Sequence, residues 1–197
     1  MPMYVDPPNS LTWSPDGVNQ NDWIAVKRMS AFRFISMIYY IVVDLFSELS
    51  VLCNAVSEFC TEEECPLMKA GKHHEYAWAD PSSPEYSSPV LVSAPKYMEL
   101  LMTWVEKHIT SVDASNTNAG SFSINNRIFS RRLFRVYAHI FSEHSENVLP
   151  IQHHLHYSLM HFLVFINEFD MMVNEAEIEP IMSVINSLCI PNLHFRL

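Results

Sequence analysis

Three glycines in 197 residues are the tightest constraint this chain places on its own fold. Tight hairpins draw on residues that accept positive φ, and glycine does so without steric cost. A fold of many hairpins is therefore excluded, and helices joined by proline-containing loops suit the 12 prolines better. Apolar residues make up 49% and charged residues 17%, enough for one domain with a sizeable core and unlike an acidic disordered chain. The 12 Lys and Arg against 22 Asp and Glu give a formal charge of −10. That balance argues against general nucleic-acid binding and for partners with basic patches.

Helical periodicity recurs along the chain. Asn21 or Asp22 is positioned to cap a helix beginning at Trp23. Leu45, Leu49, Leu52, Cys53, Val56 and Phe59 form a core-facing stripe. A loop broken by Pro66, Gly71, Pro81, Pro84 and Pro89 follows from Cys60 to Ala94, and Pro95 opens a second helix with the stripe Tyr97, Leu100, Leu101, Trp104, Val105 and His108. Ser111 to Asn126 is polar and without helical period, which predicts a surface loop. Phe129, Leu133, Val136 and Ile140 mark a third helix. Leu155, Leu159, Phe162, Leu163, Ile166 and Phe169 mark a fourth, and Ile178, Ile181, Met182, Ile185 and Leu188 a shorter fifth. The expected architecture is all-α, an antiparallel helical bundle with long outer loops.

The opening residues MPMYVDPPNS carry neither a basic region nor an apolar core, so no secretory signal is expected and the cytosol or nucleus is the expected compartment. The longest uncharged apolar run, Phe34 to Val43, has ten residues where a membrane span needs about 20, so no span is expected. Cys53, Cys60, Cys65 and Cys189 then read as thiols or metal ligands before disulfides.

Two pairs stand out among the metal-ligating types. Cys60 and Cys65 are separated by four residues, and so are His139 and His144. Two sulfurs and two imidazoles are the complement of a tetrahedral structural zinc site. Coincidence of spacing is the alternative, with His73, His74, His153 and His154 as rival ligands. Residues five apart on a helix diverge by about 140°, so His144 joins His139 only where the helix ends or distorts near Phe141.

Arg131, Arg132 and Arg135 fall within an arc of about 100° on the third helix, beside His139 and opposite its apolar stripe. They form either a solvated helix surface or an anion site, since guanidiniums hold phosphate oxygens in bidentate geometry. Catalytic templates are poorly served: no glycine-rich phosphate loop, no G-x-S-x-G and no H-E-x-x-H occurs. A metal-dependent hydrolase using the histidines remains as the competing class, but four protein ligands around a zinc leave no open position for substrate.

Four blocks carry a resemblance: Phe59 to Asp80 (FCTEEECPLMKAGKHHEYAWAD), Ala94 to Glu106 (APKYMELLMTWVE), Arg132 to His139 (RLFRVYAH) and His161 to Phe169 (HFLVFINEF). In this order they resemble the signature blocks of the Mob/phocein family of kinase activators, over about Trp23 to Leu188. The resemblance implies a Mob-like helical domain with one structural zinc and no catalytic activity. It also implies an adaptor and coactivator of NDR and LATS type kinases in Hippo-like or mitotic-exit signalling. Carried over by residue, the family's zinc ligands fall on Cys60, Cys65, His139 and His144. Its pocket for phosphorylated segments of an upstream Ste20-like kinase or scaffold falls on Arg131, Arg132 and Arg135, and its kinase-binding face on Asp22, Trp23, Val26 and Asp44. Residues 1–20 then form an extended arm, 21–190 the domain and 191–197 a tail.

Departures from the family pattern are local. Val18 stands where the activators have an acidic residue, and Lys27 and Arg28 add positive charge nearby, which weakens complementarity to a basic kinase segment. A diverged scaffold without kinase activation is the alternative this raises. Ser30 to Val43 is an apparent insertion of 14 residues, about 3.9 helical turns, so it fits either as extra helix or as a looped-out apolar patch.

Overall fold

A computed structural model of the chain describes residues 19–111, 119–169, 171, 175–188 and 190. The expected arm and tail lie outside these residues apart from Asn19 and Gln20. The chain divides into two units, Met1–Tyr40 and Ile41–Leu197, and the described residues are mostly helical. The helices are α1 (Gln20–Val56), α2 (Ala94–Ser111), α3 (Ala119–Glu143), α4 (Gln152–Glu168), α5 (Glu175–Ile178) and α6 (Met182–Ser187).

Helix α1 begins earlier than expected. The backbone N–H of Asn21 donates to Asn19 Oδ1 at 2.8 Å, so Asn19 takes the cap expected at Asn21 or Asp22. No glycine or proline occurs from Gln20 to Val56, and residues 30–43 are helical. The segment read as an apparent insertion is therefore helical rather than looped out, with Val42 buried and Tyr40 exposed. The side chains of Gln20 and of residues 22–36 are outside the description, including Asp22, Trp23 and Val26 on the expected kinase-binding face. Asp44 is exposed.

In the Ile41–Leu197 unit, the stripe Leu45, Leu49, Leu52 and Val56 is buried, and Glu48 between these residues accepts from His161 Nδ1 of α4 at 2.9 Å. The helix ends at Val56, short of Phe59, whose N–H turns back to the Val56 carbonyl at 3.1 Å. By length and composition alone, Met37–Val56 suffices to cross a bilayer. This stretch is longer than the uncharged run read from the sequence, which stopped at the charge of Asp44. The buried stripe and the Glu48–His161 pair tie the portion beyond Asp44 into the protein core instead.

Helix α3 contacts α2, the short strand Lys69–Ala70 and the 3-10 turn Glu179–Ile181. Leu133, Phe134, Val136, Tyr137 and Ile140 are buried. Tyr137 also meets α4, its ring centroid 5.4 Å from that of Phe162 and its hydroxyl 2.7 Å from Ser158 Oγ. The polar segment 119–126, expected as loop, is the start of α3. Its serines and asparagines cost only tenths of a kcal/mol each in a helix, and no proline interrupts them. Residues 112–118 of the expected loop are outside the description.

The loop from Cys60 to Ala94 contains two short antiparallel pairs that periodicity did not signal. Strand β1 (Lys69–Ala70) pairs with β2 (His74–Glu75), with Lys69 opposite Glu75. Strand β3 (Ala77–Trp78) pairs with β4 (Val90–Leu91), with Ala77 opposite Leu91. Gly71 turns the chain after β1 at φ 64°, a conformation that other residues adopt at a cost. The expected fifth helix is divided at Pro180 into α5, the 3-10 turn and α6, yet Ile178, Ile181 and Ile185 remain buried.

Replacing Leu49, fully buried, with Ala is expected to cost about 2–5 kcal/mol in urea denaturation through the cavity it leaves. Val51→Ala on the same helix, where Val51 is 67% exposed, should stay within about 0.5 kcal/mol of the native chain.

Candidate functional site

The turn after α1 and the end of α3 supply a buried cluster. Cys60 N–H bonds the Val56 carbonyl at 2.8 Å and Cys65 N–H the Thr61 carbonyl at 2.8 Å, curling the chain so that both thiols face inward. Helix α3 runs past Phe141 without the expected end or distortion there, and His139 and His144 converge all the same. The helix stops at Glu143, and His144 follows while its N–H still reaches the Ile140 carbonyl at 3.0 Å. One ligand atom from each of Cys60, Cys65, His139 and His144 lies within 4.8 Å of every other, and all four residues are buried.

The pairing is specific. Cys60 Sγ lies 3.4 Å from His139 Nε2 and Cys65 Sγ 3.3 Å from His144 Nε2. A tetrahedral ion with metal–sulfur and metal–nitrogen bonds of about 2.3 and 2.0–2.1 Å spaces such atoms about 3.5 Å apart, so the donor set fits a metal. His139 Nδ1 is 2.8 Å from the Lys69 carbonyl oxygen. A carbonyl only accepts, so Nδ1 carries the proton and Nε2 turns its lone pair to the cluster. Glu143 holds the β1 turn to the helix end, accepting from Gly71 N–H at 2.8 Å and pairing with Lys69 Nζ at 3.3 Å. His73 and His74 are outside the cluster. His74 pairs with Glu179 at 3.3 Å, and His153 and His154 are exposed on α4.

Burial sets the protonation of the metal-free cluster. It pushes the Cys60 thiol up to about 12 and raises that of Cys65. It drives His139 from 6.5 down to about 4 and lowers His144. All four groups are therefore neutral near pH 7. A bound cation would hold the sulfurs as thiolates and crosslink the turn to α3.

The three arginines do not share one surface. Arg132 is buried, with its guanidinium carbon 4.1 Å from the Trp78 ring centroid and 4.3 Å from that of Trp104. Its Nη2 donates to the Ala79 carbonyl, and burial lowers its proton affinity. Arg131 and Arg135 instead meet at Glu177 of α5. Arg131 Nε lies 3.0 Å from Oε2 and Arg135 Nη2 2.8 Å from Oε1. Burial works against the Glu177 charge, but the two arginines hold its carboxyl below the usual range. Burial likewise opposes the Arg135 charge, but Tyr97 and Glu177 hold its proton affinity above the usual value. Helical spacing pointed to the arginines but not to Glu177, Trp78, Trp104, Tyr76 or Tyr97. Trp104 and Tyr97 appeared in the sequence only as members of the α2 stripe. Glu177 has no sequence signal, lying 46 and 42 residues from its partners.

The family model for the Mob1/phocein family matches residues 9–181. The chain is similar to MOB kinase activator-like 2A of Arabidopsis thaliana, 37% identical over 181 residues, covering 88% of this chain and 76% of the relative. It is 34% identical over 182 residues to MOB kinase activator-like 3 of Drosophila melanogaster, covering 89% and 75%. It is 32% identical over 182 residues to MOB kinase activator 3A of Mus musculus, covering 89% and 76%.

Protein purified without chelator is expected to carry about one metal ion per chain by elemental analysis. Cys65→Ser or His144→Ala should remove the metal and lower the melting temperature by about 10 °C or more. In metal-free protein, His139 binds no proton between 6.5 and about 4 while the unfolded chain does. Stability should therefore fall as the pH is lowered through that window, as followed by thermal melting.

Proposed function

The chain belongs to the Mob1/phocein family, and on that premise we propose that it is a non-catalytic coactivator of an NDR or LATS type protein kinase, acting in Hippo-like or mitotic-exit signalling. The observation that carries this reading is the buried Cys60, Cys65, His139 and His144 cluster in a chain similar to proteins named kinase activators. In this reading the cluster holds one structural zinc. All four positions are filled by protein donors, which leaves none for a substrate and disfavours a metal-dependent hydrolase. We place the protein in the cytosol or nucleus, where such thiols remain reduced.

Two partners follow from charge and from the family pattern. A basic regulatory segment of the kinase suits a chain of formal charge −10, with Asp22, Trp23 and Val26 as its face, while the helical residues 30–43 separate Asp44 from them along α1. A phosphorylated segment of an upstream Ste20-like kinase or scaffold suits Arg131 and Arg135. Their guanidiniums converge on one carboxylate and can present the same donors to a phosphoryl group. Arg132, held between Trp78 and Trp104, supports this site by fixing the neighbouring aromatic side chains.

Titration of an NDR or LATS type kinase segment should show binding that Trp23→Ala weakens by about tenfold or more. Arg135→Ala should weaken a phosphothreonine peptide by about tenfold or more through lost charge-assisted bonds, with little effect on its unphosphorylated twin. Absence of binding by the kinase segment would leave the diverged scaffold as the better reading.

A further inference from the structure

Four guanidinium nitrogens converge on Glu177. Arg131 gives Nε to Oε2 at 3.0 Å and Nη2 to Oε1 at 3.3 Å. Arg135 gives Nη2 and Nε to Oε1 at 2.8 and 3.3 Å. The carboxylate is only 13% exposed. The Arg135 guanidinium lies 5.1 Å from the Tyr76 ring centroid, and its Nη1 is 3.5 Å from the Tyr97 hydroxyl. Two further buried donor groups, Tyr76 Oη and Arg132 Nη1, have no hydrogen-bond partner among the described residues. The basic groups therefore already hold an anion, while donors among the surrounding side chains remain unused.

A carboxylate has two oxygens and one negative charge. A phosphoryl group brings three oxygens and a charge of about −1.5 to −2 near neutral pH. Both cannot occupy the same guanidiniums without strong mutual repulsion. Resting on the phosphopeptide reading above, we propose that Glu177 is a built-in occupant of this anion site. A phosphorylated segment must displace it, and a singly charged Asp or Glu side chain in a partner cannot. The contact thereby sets the affinity of the site and makes it selective for phosphoryl groups over acidic residues. An incoming carboxylate gains no more from Arg131 and Arg135 than Glu177 surrenders. Glu177 is also tethered to the fold by its own chain, whereas the competitor arrives from solution. A dianion offers extra charge and an extra acceptor, and gains where the carboxylate does not.

The test uses the full chain and three short peptides with uncharged flanks, bearing phosphothreonine, threonine or glutamate at the same position. They are titrated by fluorescence anisotropy against native protein, Glu177→Gln and the control Glu179→Gln. Glu179 is exposed and pairs with His74, so its replacement changes net charge equally without touching Arg131 or Arg135. Removing the occupant should strengthen phosphothreonine binding by about tenfold and allow the glutamate peptide to bind. Glu179→Gln should change either by less than about twofold. If Glu177→Gln binds the phosphopeptide no more tightly than native protein and melts at the same temperature, the occupant role is overturned while the phosphopeptide reading stands. If neither protein prefers the phosphopeptide over its threonine twin, the phosphopeptide reading falls and this inference with it. Discrimination gained only in Glu177→Gln supports the occupant role. Should Glu177→Gln fail to fold, Glu177→Asp retains the charge on a shorter arm that cannot span both arginines. It should then raise phosphopeptide affinity about threefold, and no gain would overturn the proposal.

Discussion

The segment between α1 and α2 has little with which to hold itself in place. Its strands are two residues long, far below what a pair needs for independent stability, and prolines at 66, 81, 84 and 89 interrupt it. What fixes it is attachment to the last turn of α3. Cys60 and Cys65 meet His139 and His144, the Lys69 carbonyl meets His139, and Gly71 meets Glu143. These contacts act over a few residues at each end, and the rest of the segment follows from them. Once β1 is set, Tyr76 N–H bonds the Met68 carbonyl at 2.8 Å. Trp78 is then carried two residues further, onto Tyr97 of α2 with ring centroids 5.2 Å apart. Cys65 also anchors the start of α2 directly, its carbonyl accepting from Ala94 N–H at 3.0 Å.

The same attachment explains why three neighbouring arginines behave differently. On a helix, Arg135 lies about 40° from Arg131, while Arg132 is about 100° away. That rotation carries Arg132 off the shared face and into the space between Trp78 and Trp104, where two aromatic faces replace much of the water it loses. Arg131 and Arg135 stay together and share Glu177. An arc drawn from sequence treats the three as one basic patch, but packing divides them into one structural cation and one paired site. The division depends on Trp78 being in place, and therefore on the turn held by the cysteine and histidine cluster.

How much of this was legible in the sequence follows from the range of each signal. The stripes of α1, α2, α3 and α4 were readable because burial repeats at the helical period, as at Leu45, Leu49, Leu52 and Val56. The first residues of α3 were not, because serine and asparagine leave no stripe although the helix runs through them. Two-residue strands give no alternation to read. Spacing raised Cys60, Cys65, His139 and His144 together, but left other histidines as rivals, and the family resemblance named the set before any distance was known. The structure adds what spacing cannot: an α3 that stops at Glu143, and a Lys69 carbonyl that fixes the His139 tautomer. Glu177 was invisible because it is a single acidic residue on a four-residue helix. Its importance depends entirely on which side chains the fold brings to it.

Both clusters stand on one helix. His139 follows Arg135 by four residues, about 6 Å along the axis, and between them Tyr137 is locked to Ser158 of α4. The helix end is tied to the β1 turn through Glu143, and its buried face carries Leu133, Val136 and Ile140. Displacing the backbone of α3 at the arginines would therefore disturb a packed core and the cysteine and histidine cluster at once. The side chains of Arg131 and Glu177 are under no such constraint. Arg131 is 55% exposed, and Glu177 belongs to a short helix outside α3. In the proposed reading, recognition at this face is a change of partner among side chains on a fixed support, and its cost is set by the Glu177 contacts that must be given up. A packed α3 keeps the two guanidiniums in register for one carboxylate, and in the proposed reading the identity of the anion held there decides the state of the site.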